Sequence, residues 1–301
     1  MIASLSLSYV HERRIGAEVA LHALNRHLTD RGMTVEALTT DRVTRAKVDG
    51  VRVHQYAPRR SDAAVIVNAG LVGRARRWWP RAHLIVWLHN TQLPTLLDVR
   101  AADANTTLIT NTHVAQTAVS AVLGRDSLVL HPPVPPASPV TGGTAVTMVN
   151  LSTDKGADVF WRLAETNPHR EFIGVKGGYG LQQIRDLPNV TILNHGHLED
   201  AWPHTAVLLV ASRHESYSMA AVEAGWRGIP VLARDLPGVR EAVGAGGTYV
   251  TTDWQTGLDH VLTHRELLSD AIRCHVACTN TAAELDAVAD LVAEHDVAVA
   301  A

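Results

Sequence analysis

Short apolar runs alternate with longer amphipathic stretches along most of this chain, and the alternation is interrupted once, by a proline-rich segment. The apolar runs are IASLSL, VEALT, VRVHQY, AVIVN, LIVWLHN, TTLIT and SLVLH before the interruption and AVTMVN, EFIGV, NVTIL, AVLLVA, PVLA and TYV after it. Such runs, with helical segments between most of them, are typical of a parallel sheet covered by helices. The sequence therefore predicts an α/β fold with two such sheets.

The interruption is HPPVPPASPVTGG at 131–143, which has five prolines between Pro132 and Pro139 and reads as a linker. A chain of 301 residues also exceeds one typical domain. We expect Rossmann-like, doubly wound domains at 1–138 and 139–285, with 286–301 as a C-terminal helix or tail that packs back on the N-terminal domain. Ligands of such sheets bind at the carboxyl ends of the strands, which here would line a cleft.

The composition indicates a globular protein outside the membrane. Hydrophobic residues make up 46% of the chain, and no run approaches the roughly 18 apolar residues of a membrane span. The start of the sequence, MIASLSLSYVHERR, lacks the leading positive charge of a signal peptide. We expect a cytoplasmic location, with peripheral association with a membrane as the alternative.

Two glutamates in HESYSMAAVEAGWRGIP point to a ligand site. Strand AVLLVA ends near Ala211, so Glu215 falls in the loop and Glu223 about two turns inside a helix expected to begin between Ser216 and Ser218. The helix geometry places the two backbones up to about 12 Å apart. Glycosidase carboxyl groups lie about 5 Å apart or about 6.5–9.5 Å apart, so that chemistry does not fit. The start of the helix between the two acids favours an anion, and a nucleotide-sugar has hydroxyls on both sides of its diphosphate.

These residues resemble a known family. ESYSMAAVEA is similar to the motif of Glu, seven residues and Glu in retaining GT-B glycosyltransferases, particularly glycosyltransferase family 4 (glycosyl transferases group 1). NLSTDKGADVFWRLA, IGVKGGYG, LPNVTILNHGHLED and IPVLARDLPGVREAVG resemble further family segments in the same order. The resemblance implies a GT-B fold and transfer of a sugar, by default from a UDP-sugar, to an acceptor hydroxyl. It implies no metal and no resident cofactor.

The resemblance also implies roles for residues at the matching positions. Glu215, Lys155 and His89 would serve the reaction: Glu215 would bind hydroxyls of the donor sugar, Lys155 would neutralise the departing diphosphate, and His89 would lie against the sugar or the acceptor. The other donor-binding positions would be Glu223 at the ribose, Ser216, Tyr217, Ser218 and Met219 at the helix start, Asn150, Gly16, Gly177, Gly178 and His197. Many relatives have arginine in place of Asn150 and glycine in place of Ser218. These differences leave open a catalytically silent nucleotide-sugar-binding protein, and sugar epimerisation on the same fold is a further alternative.

The charge distribution suggests an anionic acceptor as another alternative. Residues 1–138 contain sixteen Lys and Arg against ten Asp and Glu, whereas the rest of the chain is net acidic. Six arginines lie within 59–81, interleaved with Trp78 and Trp79, among them Arg74, Arg76 and Arg77. Such a patch would favour nucleic acid, such as modified viral DNA, or an anionic membrane as the partner. No protein partner is indicated, and the His and Cys residues lack the spacing of a zinc site.

Overall fold

The computed structural model describes residues 2–10, 15–40, 43, 45–55, 64–100, 105–279 and 281–297, with side chains up to residue 295. The chain divides into two compact units. The N-terminal unit is Met1–Pro133 together with Asn280–Ala301, and the C-terminal unit is Val134–Thr279. The division thus falls between Pro133 and Val134, five residues before the expected end of the first domain. Residues 131–143 contain no helix or strand.

The N-terminal unit is built on an eight-stranded sheet among its described residues, in the order β3-β4-β2-β1-β5-β6-β7-β8. Its strands are β1 Ile2–Ser6, β2 Val35–Thr39, β3 Lys47–Val48, β4 Val51–Gln55, β5 Ala64–Asn68, β6 His83–Leu88, β7 Thr106–Thr110 and β8 Leu128–Val129. Its helices are α1 Gly16–Asp30, α2 Val72–Trp78, α3 Leu93–Arg100, α4 His113–Leu123 and, from the end of the chain, α11 Thr281–Val297. All neighbouring strands are parallel except the β3–β4 hairpin.

The C-terminal unit contains a six-stranded, fully parallel sheet in the order β11-β10-β9-β12-β13-β14. Its strands are β9 Ala145–Val149, β10 Phe172–Val175, β11 Val190–Leu193, β12 Thr205–Val210, β13 Val231–Arg234 and β14 Gly247–Val250. Its helices are α5 Ala157–Thr166, α6 Leu198–Ala201, α7 Met219–Trp226, α8 Pro237–Val243, α9 Trp254–Thr263 and α10 Arg265–Cys278. Counted along the unit, this is the 3-2-1-4-5-6 order of dinucleotide-binding folds.

Both faces of this second sheet are buried, which explains its continuous apolar strands. One core joins the sheet to α5 and α9 through residues such as Phe160, Trp161 and Leu258. The other joins it to α7, α8 and α10 through residues such as Val222 and Ile272. A parallel sheet requires helical cover on both faces, and β12 is accordingly buried at every position. The predicted α/β fold with two sheets is confirmed.

Helix α11 belongs to the N-terminal unit, where it packs against α1 and β5. Polar contacts also hold it there. The backbone N–H and Nδ1 of the buried His131 each contact the Glu284 carboxylate, at 2.8 and 2.7 Å. Arg31 forms ion pairs with Asp286 and Asp290 at 3.2 and 2.7 Å. Residues 281–285, assigned to the second domain from sequence, are therefore the first turn of a helix in the N-terminal unit.

Among the described residues, no helix has both the length and the apolar character needed to cross a membrane.

Candidate functional site

The topology of the C-terminal unit selects one end of two strands as the candidate site. Strands β9 and β12 are adjacent, and the strand order reverses between them because β10 and β11 lie to one side and β13 and β14 to the other. Loops after strands at such a switch point form the ligand crevice of doubly wound sheets. Here these loops are 150–156, which carries Lys155, and 211–218, which carries Glu215.

Lys155 and Glu215, sixty residues apart in sequence, form an ion pair between these two loops. Lys155 Nζ donates to Glu215 Oε2 at 2.6 Å, and the two side chains are 21% and 17% exposed. Lys155 ends a short 3₁₀ helix, Thr153–Lys155, and Gly156 connects this helix to α5. The pair is thus shielded from bulk solvent but still reachable by a ligand.

Gly156 explains how the two loops come so close. Its φ is +84°, a left-handed conformation that glycine adopts without the steric cost of a Cβ. A Cβ at this position would also lie within 2.7 Å of the Ala211 Cβ and closer still to the Ala211 carbonyl oxygen. Only a residue without a side chain allows this contact, and the contact sets Lys155 opposite Glu215.

The Glu215 carboxylate is held at one oxygen. Oε2 accepts from Lys155 and also from Ser212 Oγ at 3.1 Å, whereas Oε1 accepts no hydrogen bond from any described residue. The loop itself is supported by Arg234, whose Nε donates to the carbonyls of Ala211 and Ser212 at 3.3 and 3.1 Å. A carboxylate oriented in this way can accept a hydrogen bond from a ligand hydroxyl at Oε1.

Lys155 stays charged in this environment. Burial by itself lowers the pKa of an ammonium group, but here Glu215 and the hydroxyl of Tyr179 outweigh burial and raise the pKa of Lys155 above its ordinary value of 10.5. The site therefore presents a permanent cation at neutral pH.

The start of α7 supplies N–H groups beside this pair. The helix begins at Met219 with Ser218 at the N-cap position, where the Ser218 side chain makes no capping hydrogen bond. The N–H groups of Met219 and Ala220 make no hydrogen bond to another described residue. Unbonded N–H groups at a helix start, together with the helix dipole, favour an anion.

The exact start of α7 changes the placement of Glu223. Because the helix begins at Met219 and not between Ser216 and Ser218, Glu223 lies about one turn inside it, not two. Its side chain is half-buried. Ser216 and Met219 are also half-buried, whereas Tyr217 and Ser218 are buried, and Tyr217 packs into the core under the helix. Tyr217 and Ser218 can therefore offer a ligand mainly backbone groups.

Asn150 and Gly177 meet beside the site, but Asn150 is turned inward. Asn150 is 4% exposed and has a φ of +66°, and its Oδ1 accepts from the Ser152 N–H at 3.2 Å and from Gln182 Nε2 at 2.9 Å. Its amide lies where a Cβ on Gly177 would be. The structure thus shows Asn150 organising neighbouring backbone, whereas sequence predicted a contact with the donor. Gly178, the next residue after Gly177, is half-buried.

His197 lies at one edge of the sheet, after the edge strand β11. It is exposed, and its Nδ1 lies 2.8 Å from Asp200 Oδ2 in the first turn of α6. The ring is therefore accessible and oriented by one carboxylate.

In the N-terminal unit, His89 follows the buried strand β6. Its Nε2 lies 3.1 Å from Asn68 Oδ1, its carbonyl accepts from Asn111 Nδ2, and its ring packs against Trp87 at 4.8 Å between centroids. Burial lowers the pKa of His89 to about 4, so the ring is neutral at pH 7. Gly16, the other site residue predicted in this unit, is the exposed first residue of α1.

The three arginines predicted for an acceptor differ in their surroundings. The Arg76 guanidinium donates to the carbonyls of Ala82 and Asn105, at 2.7 and 3.2 Å, so it connects α2 to the residues that directly precede β6 and β7. Arg74 lies over the Trp78 ring, and Arg77 is exposed. Arg59 and Arg60, which complete the basic cluster with Arg81, lie outside the described residues.

Sequence reasoning missed Ser212, Arg234 and Gln182. Ser212 follows strand β12 and precedes Glu215 by three residues, so its position at the strand end was a usable signal. Arg234 acts from the end of another strand, and the Gln182 contacts depend on loop conformation. No local pattern marks either of them.

Comparisons with known proteins were made by sequence and by structure. No protein-family model matches the chain, and no curated protein matches it significantly. Solved structures do match. A sucrose-phosphate synthase from Thermosynechococcus elongatus has a TM-score of 0.76 at 16% identity, over 99% of each chain. HepE of Anabaena in complex with UDP-glucose has a TM-score of 0.74 at 18% identity, over 97% of this chain and 98% of that one.

A third match is WaaG, a glycosyltransferase involved in lipopolysaccharide biosynthesis, with a TM-score of 0.72 at 13% identity, over 97% of this chain and 99% of that one. Identities this low establish architecture, and the coverage includes both units. Together with the two doubly wound sheets, these matches show that the chain has the GT-B fold of glycosyltransferases.

Proposed function

We propose that this protein is a retaining glycosyltransferase that moves a sugar from a nucleotide-sugar, by default a UDP-sugar, to an acceptor hydroxyl. The observation that carries the proposal is the Lys155–Glu215 ion pair at the switch point of the second sheet, beside the unbonded N–H groups that begin α7. A structural neighbour that binds UDP-glucose, HepE, supports the choice of donor.

The donor would use each part of this site differently. The diphosphate would be held by the Lys155 ammonium and by the N–H groups of Met219 and Ala220, because each of these groups can donate a hydrogen bond to an anion. Glu215 Oε1 would accept a hydrogen bond from a sugar hydroxyl, and the Glu223 carboxylate would accept from the ribose diol. His197 and the glycines at 177–178 would border the nucleotide.

The chemistry needs little more than this arrangement. In the proposed reaction, the bond between the sugar carbon and the diphosphate oxygen breaks while the acceptor oxygen attacks from the same face. The departing phosphate oxygen takes the proton of the acceptor hydroxyl. Lys155 stabilises the negative charge that develops on the leaving group, and it does so without transferring a proton. The neutral ring of His89 is proposed as a hydrogen-bonding group for the sugar or the acceptor, and no metal forms part of the proposal.

The test is a panel of UDP-, GDP-, ADP- and TDP-sugars, scored by thermal shift and by nucleotide release. Glu215→Gln keeps the size of the side chain but removes its charge, and we expect it to lower nucleotide release at least about 100-fold, the scale of losing one charged hydrogen bond in the transition state. Glu266→Gln, on the exposed face of α10, is the matched control. Undiminished release by Glu215→Gln would contradict the proposed role of this residue.

The same panel separates the alternatives. A silent binding protein would show a thermal shift with some donor but no turnover in any condition. An epimerase would release free nucleotide and epimerised sugar without an acceptor.

An anionic acceptor is the second candidate, because Arg77 and Arg81 are exposed and Arg74 lies at the surface over Trp78. Charge reversal at Arg74 and Arg77 would weaken binding of such an acceptor, and binding would also weaken as salt is raised. Arg76 is left unchanged in this variant because its guanidinium bonds the backbone. Unaltered acceptor binding in the double variant would rule this candidate out.

A further inference from the structure

Helices α2, α3 and α4 form one layer over a face of the N-terminal sheet. All three bury residues in the same core against that face, among them Ala75, Leu96 and Val119. Helix α3 contacts both of the others, so it lies in the middle of the layer. The solvent side of these three helices is called the outer face below.

The outer face presents large apolar side chains to solvent. Leu93 and Leu97 of α3 are 64% and 52% exposed, and Val114 and Val122 of α4 are exposed as well. Helix α4 contains no Asp, Glu, Lys or Arg. A surface helix normally places polar and charged residues opposite its buried stripe. Apolar side chains gathered on an exposed face indicate contact with something other than water.

The charges in this layer are mostly positive. Residues 72–123 contain five arginines and only two acids, Asp98 and Asp103. One carboxylate oxygen of Asp98 is buried, and Asp103 lies outside the described residues. Arg77 and Arg100 are exposed, and neither forms an ion pair with a described residue. The outer face is therefore apolar and cationic at once.

An anionic lipid bilayer fits the outer face better than other partners do. Nucleic acid offers little to exposed leucines and valines, because its surface is mostly charged backbone. In a two-fold interface, a second copy would bring the same arginines together, and like charges repel. A bilayer needs no matching shape: apolar side chains enter the boundary of the acyl chains, and cations meet the anionic headgroups. Trp78, half-buried in α2 with Arg74 over its ring at 6.0 Å, suits the same boundary.

We propose that the outer face of α2, α3 and α4 docks the protein on the surface of an anionic lipid bilayer. Leu93 and Leu97 enter the headgroup boundary, and Arg77 and Arg100 lie against the lipid phosphates. This docking uses no residue of the proposed donor site, so it and the proposed sugar transfer can each fail alone.

The experiment is flotation of the full chain with two kinds of vesicle. One kind contains equal parts of phosphatidylglycerol and phosphatidylcholine, and the other contains phosphatidylcholine alone. We expect partitioning onto the anionic vesicles to be at least about tenfold stronger and to weaken as salt is raised. Each arginine near an anionic surface contributes about fivefold in affinity, so Arg77→Gln/Arg100→Gln should weaken this binding about 10- to 30-fold.

A second double variant separates insertion of the leucines from attraction between charges. Leu93→Ser/Leu97→Ser leaves every charge in place, and we expect it to lower partitioning onto anionic vesicles at least about tenfold. Leu181→Ser/Leu267→Ser is the matched control, because these leucines of the C-terminal unit are 89% and 69% exposed. The control should change partitioning less than about twofold. Far-UV circular dichroism checks that each variant is folded.

Three results would overturn the docking proposal. The first is a wild type that does not bind anionic vesicles, or that binds them no better than folded Leu93→Ser/Leu97→Ser does. The second is dimerisation, measured by light scattering without lipid, that the two leucine substitutions abolish while vesicle binding is absent, which would assign the outer face to a second copy. The third is binding of duplex DNA, but not of vesicles, that depends on the arginines and not on the leucines.

Discussion

Replacing Gly156 by alanine would separate the loop that carries Lys155 from the loop that carries Glu215. Two costs arise from the one added methyl group. The φ of +84° is a left-handed conformation that costs a residue with a Cβ about 1–2 kcal/mol. The methyl would also meet the Ala211 carbonyl oxygen and Cβ, and overpacking of this kind costs about 1–3 kcal/mol. We therefore expect Gly156→Ala to lose about 2–5 kcal/mol of stability.

Gly196→Ala is the control that isolates the second cost. Gly196 has a φ of +91° in the same unit, but a Cβ there would meet no atom within 4 Å. Only the conformational cost applies, so this variant should lose about 1–2 kcal/mol. The difference between the two variants then measures the close approach of the loops.

The assay is native-state hydrogen exchange, because unfolding of a chain with two units need not be two-state. We expect faster exchange in Gly156→Ala for amides of β9, β12 and the start of α5, with amides of the N-terminal unit unchanged. Diphosphate affinity should fall as well, because Lys155 is displaced from Glu215. Equal destabilisation in Gly156→Ala and Gly196→Ala would refute the argument from close approach. Loss of exchange protection without loss of diphosphate affinity would refute the link to Lys155.

Three further predictions concern the N-terminal unit. The pKa of His89 in the folded protein, about 4, lies below the ordinary histidine value of 6.5. The neutral His89 ring therefore makes its full contribution to the free energy of unfolding above pH 6.5. About 3 kcal/mol of that contribution is lost as pH falls from 6.5 to 4, and acid titration of exchange rates should show a smaller loss in His89→Gln. Arg76→Ala should cost about 1–3 kcal/mol in the opening free energy measured by hydrogen exchange, because it removes two hydrogen bonds from a charged group to backbone carbonyls. Arg77→Ala should stay within about 0.5 kcal/mol of wild type. Glu284→Ala removes the carboxylate bound by His131, so hydrogen exchange in α11 should become faster. We expect the opening free energy of α11 to fall by about 2 kcal/mol. Unchanged exchange in α11 would show that packing alone holds the helix.

Much of the architecture could be predicted from sequence because it follows from local periodicity. The apolar run AVLLVA forms most of β12, which is buried at every position. The proline-rich segment contains the division between the two units. Glu215 was placed correctly in the loop after that strand because an apolar run ends where its strand leaves the core. The beginning of α7 was misplaced by one to three residues, since several small polar residues precede it and each is an acceptable N-cap.

What the sequence by itself determined, then, was which segments form strands, where the strands end, and which acids and cations follow them. Only the tertiary structure decided which of those side chains meet. Lys155 contacts Glu215 because β9 and β12 are neighbours and because Gly156 lets their loops touch. Asn150 is turned into the protein, where its Oδ1 accepts hydrogen bonds from the Ser152 N–H and from Gln182. Strand order and loop conformation depend on the packing of distant segments, and the spacing of residues along the chain does not encode them.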